Sequence, residues 1–247
     1  MFGEAMHSKQ LLRMGMSAVA WEILRIGAQK ALLRSGKFPA DVARELGISF
    51  ACTIHAIIAS VLSLYLVAVE SRPDSLYRRF DLAQVTYAIS SGFFAWDLYA
   101  VLFVDKFDVG FLIHAVSCLL CYVFGQFPFL NYWGAYFLLF ELSTPLLHLR
   151  KAMLLTGNKS SPWFAFVEKA FALAFFVARI AVGIPMSAMV WQDLLDLLKS
   201  PHKVHSHFVV YFYLVANTAL CGLNVFWFWN MVKKKLAGAG SKKIKPT

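Results

Sequence analysis

The sequence predicts an all-α fold, a polytopic bundle of transmembrane helices, on three observations. Of its 247 residues, 59% are hydrophobic and only 15% are charged, against roughly 25% charged in an average soluble domain. The apolar residues gather into runs near the 20 or so residues that a helix needs to cross the hydrocarbon core. Aromatics make up 16% of the chain, 23 of them Phe, which suits lipid-facing walls and interfacial belts. The formal net charge is +10. The Lys and Arg lie at span ends and in the C-terminal tail, where retention of positive charge on the cytosolic side explains them. No nucleic-acid partner is expected.

Leu11 to Leu33 is the first candidate helix. It carries Arg13, Glu22, Arg25 and Lys30, so it is either an extra span or an amphipathic helix on the membrane surface; a span is preferred. The preceding MFGEAMHSKQ has no cleavable-leader pattern. Gly47 to Val69 is a span holding His55 and Ser60. Leu82 to Val104 holds Ser90, Ser91 and Asp97. Val109 to Phe124 is short and carries His114. Gly125-Gln126-Phe127-Pro128 then breaks the helix, because Pro lacks the backbone N–H and clashes with the preceding turn. Phe129 to His148 follows, and the close pair reads as a tight helical hairpin. Trp163 to Trp191 is long and holds Glu168, Arg179 and Pro185. Phe208 to Val232 is last, bounded by Lys233, Lys234 and Lys235. The organisation is an N-terminal segment over residues 1–45, a bundle domain over 46–232, and a basic cytosolic tail over 233–247.

Ionisable groups inside apolar runs are costly and so mark functional candidates. Glu141, Ser143 and Arg150 fall in the run FELSTPLLHLR, and the other spans contribute His55, Asp97, His114, Arg179, Asn217 and Asn224. The reading is a polar-lined cavity among the helices. Asn217, Cys221 and Asn224 share one helix face at i, i+4 and i+7. Glu168 and Arg179 also fall on a common face, and pairing Arg179 with Glu141 or Asp97 would remove most of the cost of the lone charge. His114 is the candidate base or nucleophile if a carboxylate such as Asp97 fixes its tautomer. Cys118 and Cys121 form C-x-x-C, read as small packing residues within a helix. His202, His205 and His207 read as a solvated loop, so no metal is expected.

GFFAWD (Gly92 to Asp97), the Leu112-Ile113-His114 step, ELSTPLLHLR (Glu141 to Arg150), FFVARI with Pro185, LNVFWFW (Leu223 to Trp229) and ACTIHA (Ala51 to Ala56) together resemble the TLC-domain family. That family includes the ceramide synthases and several small TLC domain-containing proteins. The resemblance implies a six-helix barrel around a lipid-accommodating cavity, with Leu11 to Leu33 as an additional helix. It further implies an endoplasmic-reticulum membrane and a membrane lipid, fatty acyl or sphingolipid, as partner. In ceramide synthases a paired His at the His114 span is associated with acyl transfer. Here the second position is Ala115, so any acyl transfer would fall to His114, oriented by Asp97 or Glu141.

The expected function is lipid binding in membrane lipid homeostasis, without a cofactor. The alternative is an acyltransferase using His114 and acyl-CoA as co-substrate. A third reading is a trafficking adaptor, since Lys243 and Lys245 in the terminal KKIKPT resemble a dilysine retrieval signal. Lys/Arg bias places this tail in the cytosol. The oligomeric state is left open.

Overall fold

A computed structural model describes residues 4–72, 75–105 and 107–242. The lysines of the expected retrieval signal, Lys243 and Lys245, lie outside the described residues, as does Lys106, one of the charges counted in the Lys/Arg bias. The elements are helical: α1 (Glu4–Arg34), α2 (Ala40–Val69), α3 (Asp81–Phe103), α4 (Val109–Gly125), α5 (Asn131–Leu138), α6 (Thr144–Leu155), α7 (Pro162–Phe175), α8 (Gly183–Leu198) and α9 (His207–Lys242). No strand occurs among the described residues. A 3₁₀ turn, Leu139–Ser143, joins α5 to α6, and a π-helical segment, Phe176–Val182, joins α7 to α8.

Four helical stretches are long and apolar enough to cross a membrane: Ala40–Val69, Asp81–Phe103, Pro162–Leu198 and His207–Lys235; α4 is a shorter apolar helix. Helix contacts close into a ring, α2–α3–α4–α9–α8/α7–α6 and back to α2, with α5 tucked against α2 and α1 outside against α2 and α3. The polarity is reversed relative to a water-soluble bundle. Val61 and Tyr65 of α2, Phe166 and Leu173 of α7, and Val215 and Phe226 of α9 point outward. His55, Ser60, Ser63, Ser90, Ser91, Asn131, Glu141, Arg179 and Asn224 are buried. Lipid replaces water as solvent for the outer face, so apolar atoms there carry no cost.

The α1 helix shows the same inversion. Leu12, Met16, Val19 and Ile23 are 60–66% exposed, and their 4-3-4 spacing makes one outer stripe. The inner stripe is polar and bonded. Gln10 donates to the Gln126 carbonyl (2.8 Å), Ser17 to the Ile89 carbonyl (3.0 Å), and the Trp96 indole donates to Glu22 (2.8 Å). Glu22 also pairs with Arg25 at 2.6 Å. The anchored stretch from Gln10 to Gln29 rises about 28 Å at 1.5 Å per residue, close to the depth of a hydrocarbon core. Gly92 makes the docking possible: a Cβ there would lie 2.4 Å from Ser17 Cβ and 2.7 Å from the Met14 carbonyl oxygen.

The expected break after α4 falls at Gly125. Leu130, in the left-handed conformation (φ 54°), precedes α5, and its N–H donates to the Leu76 carbonyl (2.8 Å). Asn131 fixes the corner: its amide donates to the Gly125 carbonyl and its oxygen accepts from Gln84, both at 2.8 Å. The Tyr87 hydroxyl donates to the Asn131 carbonyl. α3 thereby holds the α4–α5 turn in place.

Candidate lipid cavity

Inside the ring lies a cavity of about 80 Å³, room for several water molecules at roughly 10–15 Å³ each. Its walls come from α3, α4, α5, the 3₁₀ turn, the π segment, α8 and α9, and are mostly apolar. Along α9 the lining runs from Tyr213 to Asn224, about 16 Å of helix rise.

The polar end is built at two departures from α-helical geometry. Glu141 lies in the 3₁₀ turn and Arg179 in the π segment. Pro185 accounts for the second: it has no N–H to donate, and its ring would clash with the carbonyl four residues back, at Ala181 within the π segment. Gly183 lets the two irregular segments approach, because a Cβ there would meet the Phe140 ring at 2.6 Å.

Arg179 is 7% exposed. Its Nε donates to Ser143 Oγ (3.2 Å), one Nη to Asn224 Oδ1 (3.2 Å) and the other to Thr144 Oγ1 (3.5 Å). Glu141 Oε1 stands 3.9 Å from the guanidinium. Phe175 and Phe140 flank the cation, with ring centroids 5.2 and 5.8 Å away. Ser187 Oγ lies 2.9 Å from Cys221 Sγ and accepts from the Asn217 amide at 3.3 Å.

Of the sequence-selected residues, His114, Glu141, Arg179, Asn217 and Asn224 line the cavity. Ser143 stands behind Arg179 as its acceptor, 1% exposed. Two residues lie elsewhere. His55 is fully buried at the α1–α2–α3 junction, stacked on Phe93 at 3.7 Å, edge-on to Trp21, with Nε2 3.3 Å from Ser90 Oγ. Asp97 is half-buried on α3 and does not line the cavity, and no hydrogen bond or ion pair joins it to His114. The physical reason is the crowding of α2 and α3: each is covered on several sides, so an inward polar residue meets a neighbouring helix rather than the cavity.

His114 Nε2 instead faces Cys118 Sγ, one turn along α4, at 3.6 Å, with the Phe94 and Trp227 rings about it. Glu168 also departs from expectation. It bonds Arg150 of α6 at 2.8 Å on the outside of the bundle and does not share an inner face with Arg179. His205 of the loop histidines stacks on Tyr77 at 3.8 Å.

Sequence reasoning passed over Thr144, Ser187 and the cavity-lining Cys118, Cys121 and Cys221 as site residues. Ser187 had a signal in its place two residues after Pro185, where a helix with a disrupted ladder recruits side-chain partners. Cys221 had one in the face it shares with Asn217 and Asn224; Cys118 and Cys121 had none, since a lining Cys and a packing Cys look alike in an apolar run.

A TLC-domain family model matches residues 45–233. An uncharacterized TLC domain-containing protein of Schizosaccharomyces pombe is 30% identical over 200 residues, 77% of this chain and 68% of that protein. An uncharacterized TLC domain-containing protein of Saccharomyces cerevisiae is 29% identical over 153 residues, covering 60% of this chain but 47% of its own length. TLC domain-containing protein 4-B of Danio rerio is 24% identical over 80% of this chain and 76% of its own. The family model covers well over half of the chain, and the chain belongs to the TLC-domain family.

Proposed function

We propose that this protein binds an acyl lipid within its helix ring and serves membrane lipid homeostasis, in the endoplasmic-reticulum membrane with its tail in the cytosol. One observation carries the reading: a mostly apolar internal cavity ends in a compact polar cluster, Arg179 with Glu141, Ser143, Thr144 and Asn224. Apolar walls with a few convergent polar groups are the usual construction of a small-molecule site. On this reading the tail lies along α9 and the head meets the cluster.

The test is lipid identification by mass spectrometry on the full chain purified in detergent, beside Cys221→Phe, which puts a ring into the slot. The expected result is a stoichiometric lipid in the wild type and its loss in the variant at unchanged helicity. Equal lipid content in both would remove the cavity as the binding place. The second reading, acyl transfer, rests on the place of His114 in the cavity wall beside Cys118. An acyl-CoA-dependent product that vanishes in His114→Ala would favour it; bound lipid without turnover favours the binder. Relocation on replacing Lys243 and Lys245 by Ser tests the retrieval signal.

A further inference from the structure

Resting on the lipid-binding reading, we propose that the cavity selects an acyl lipid with an uncharged, hydrogen-bonding head, bearing a hydroxyl and an ester or amide carbonyl, and excludes the fatty-acid anion. The argument begins with charge. Among the lining residues the only cation is Arg179 and the only carboxylate is Glu141. A guanidinium keeps its proton in proteins, and a buried one needs a counter-charge. Glu141 supplies it at 3.9 Å, the two side chains being 8% and 10% exposed. Asn217, Asn224 and Ser187 are neutral. Asp97, outside the wall, adds negative charge, not positive. The cavity wall is therefore balanced before any ligand enters, and a carboxylate head would bring an unpaired negative charge. If it accepted from a free N–H of Arg179, one cation would face two carboxylates, and a net negative charge would remain in the same apolar surroundings.

Hydrogen-bonding capacity points the same way. Arg179 has five N–H donors, of which three serve Ser143, Asn224 and Thr144. The separation from Glu141 is longer than a hydrogen bond. An uncharged head in the cavity can serve both: its carbonyl accepts from a spare guanidinium N–H, and its hydroxyl donates to the Glu141 carboxylate. Both buried ions gain a bond and the net charge is unchanged. A fatty-acid anion serves as acceptor only and offers Glu141 nothing.

The experiment compares palmitate with monopalmitoylglycerol for displacement of a fluorescent monoacylglycerol from the full chain in detergent, at alkaline pH where the free acid is ionised. The expected preference for monopalmitoylglycerol is on the order of a hundredfold, the factor that corresponds to one lone ionised group at mid-membrane depth. Glu141→Gln leaves the cation uncompensated and should narrow or invert that preference. Palmitate binding as tightly as monopalmitoylglycerol to the wild type overturns the proposal, whether or not the variant folds. A wild-type preference left intact in a folded Glu141→Gln protein overturns it too, since charge balance would not be the cause. If neither ligand displaces the probe and the probe itself does not bind, the lipid-binding reading fails and the selectivity with it.

Discussion

Replacing Arg179 by Leu should destabilise the protein far more than replacing Arg179 and Glu141 together. The ion pair spans 3.9 Å. With an effective dielectric constant of about 20, the attraction is about 4 kcal/mol. The three hydrogen bonds of the guanidinium add roughly 0.6 kcal/mol each, or about 2 kcal/mol, on the scale of membrane bundles. Part of this returns when the orphaned Glu141 takes up a proton, so the single substitution should cost about 3–5 kcal/mol, as for other broken buried pairs. For a chain of this size that is a fall of roughly 6–20 °C in unfolding midpoint. The double variant Arg179→Leu/Glu141→Leu buries no charge and should recover at least about 2 kcal/mol. Intrinsic fluorescence during thermal unfolding in detergent reads all three proteins. Equal or larger loss in the double variant would show that the two groups are not coupled, and the polar end of the cavity would have to be rebuilt from other residues.

Three further outcomes are expected. Gly92→Val should cost about 1–3 kcal/mol by overpacking, because its Cβ would fall 2.4 Å from Ser17 Cβ; an unchanged midpoint would mean that α1 does not dock there. His55→Phe keeps the stack on Phe93, removes a buried Nδ1 that has no hydrogen-bond partner and gives up the 3.3 Å contact of Nε2 with Ser90, so it should cost about 1 kcal/mol, whereas His55→Ala should lose about 3 kcal/mol to the cavity it opens; lipid loss in a stable His55→Phe protein would contradict its placement away from the cavity. Asp193→Ala removes the acceptor of the Trp133 indole (2.8 Å) and the partner of Arg72, and a drop of about 1–2 kcal/mol in chemical unfolding is expected; no drop would mean that the tie of Trp133 and Arg72 to α8 contributes nothing.

The spans, the break after Gly125 and the shared face of Asn217, Cys221 and Asn224 were legible because each depends on local periodicity or on backbone chemistry. The pairing of Glu141 with Arg179 was legible as a demand, since a buried cation requires a partner. What periodicity does not contain is which neighbour a polar residue meets. His55 is buried and Asp97 half-buried, both off the cavity: α3 is enclosed by α1, α2 and α4, so inward has several directions. The π segment was likewise hidden. Pro185 announces a disturbance but not that the widened turn will carry Arg179 to the cavity. For α1, a window of composition counts Glu22 and Arg25 as two charges against a span, whereas in three dimensions they neutralise one another and serve the Trp96 indole.

That last contact has a practical consequence. The family match begins at residue 45, beyond the end of α1, yet the seam between them is shared property. A chain trimmed to the matched region would strand the Trp96 indole N–H without an acceptor, bare the notch at Gly92 where Ser17 sits, and uncover the His55 ring that Trp21 covers. Such a fragment keeps its ring but loses the helix that covers α2 and α3, so its behaviour in isolation would report on the amputation rather than on the protein.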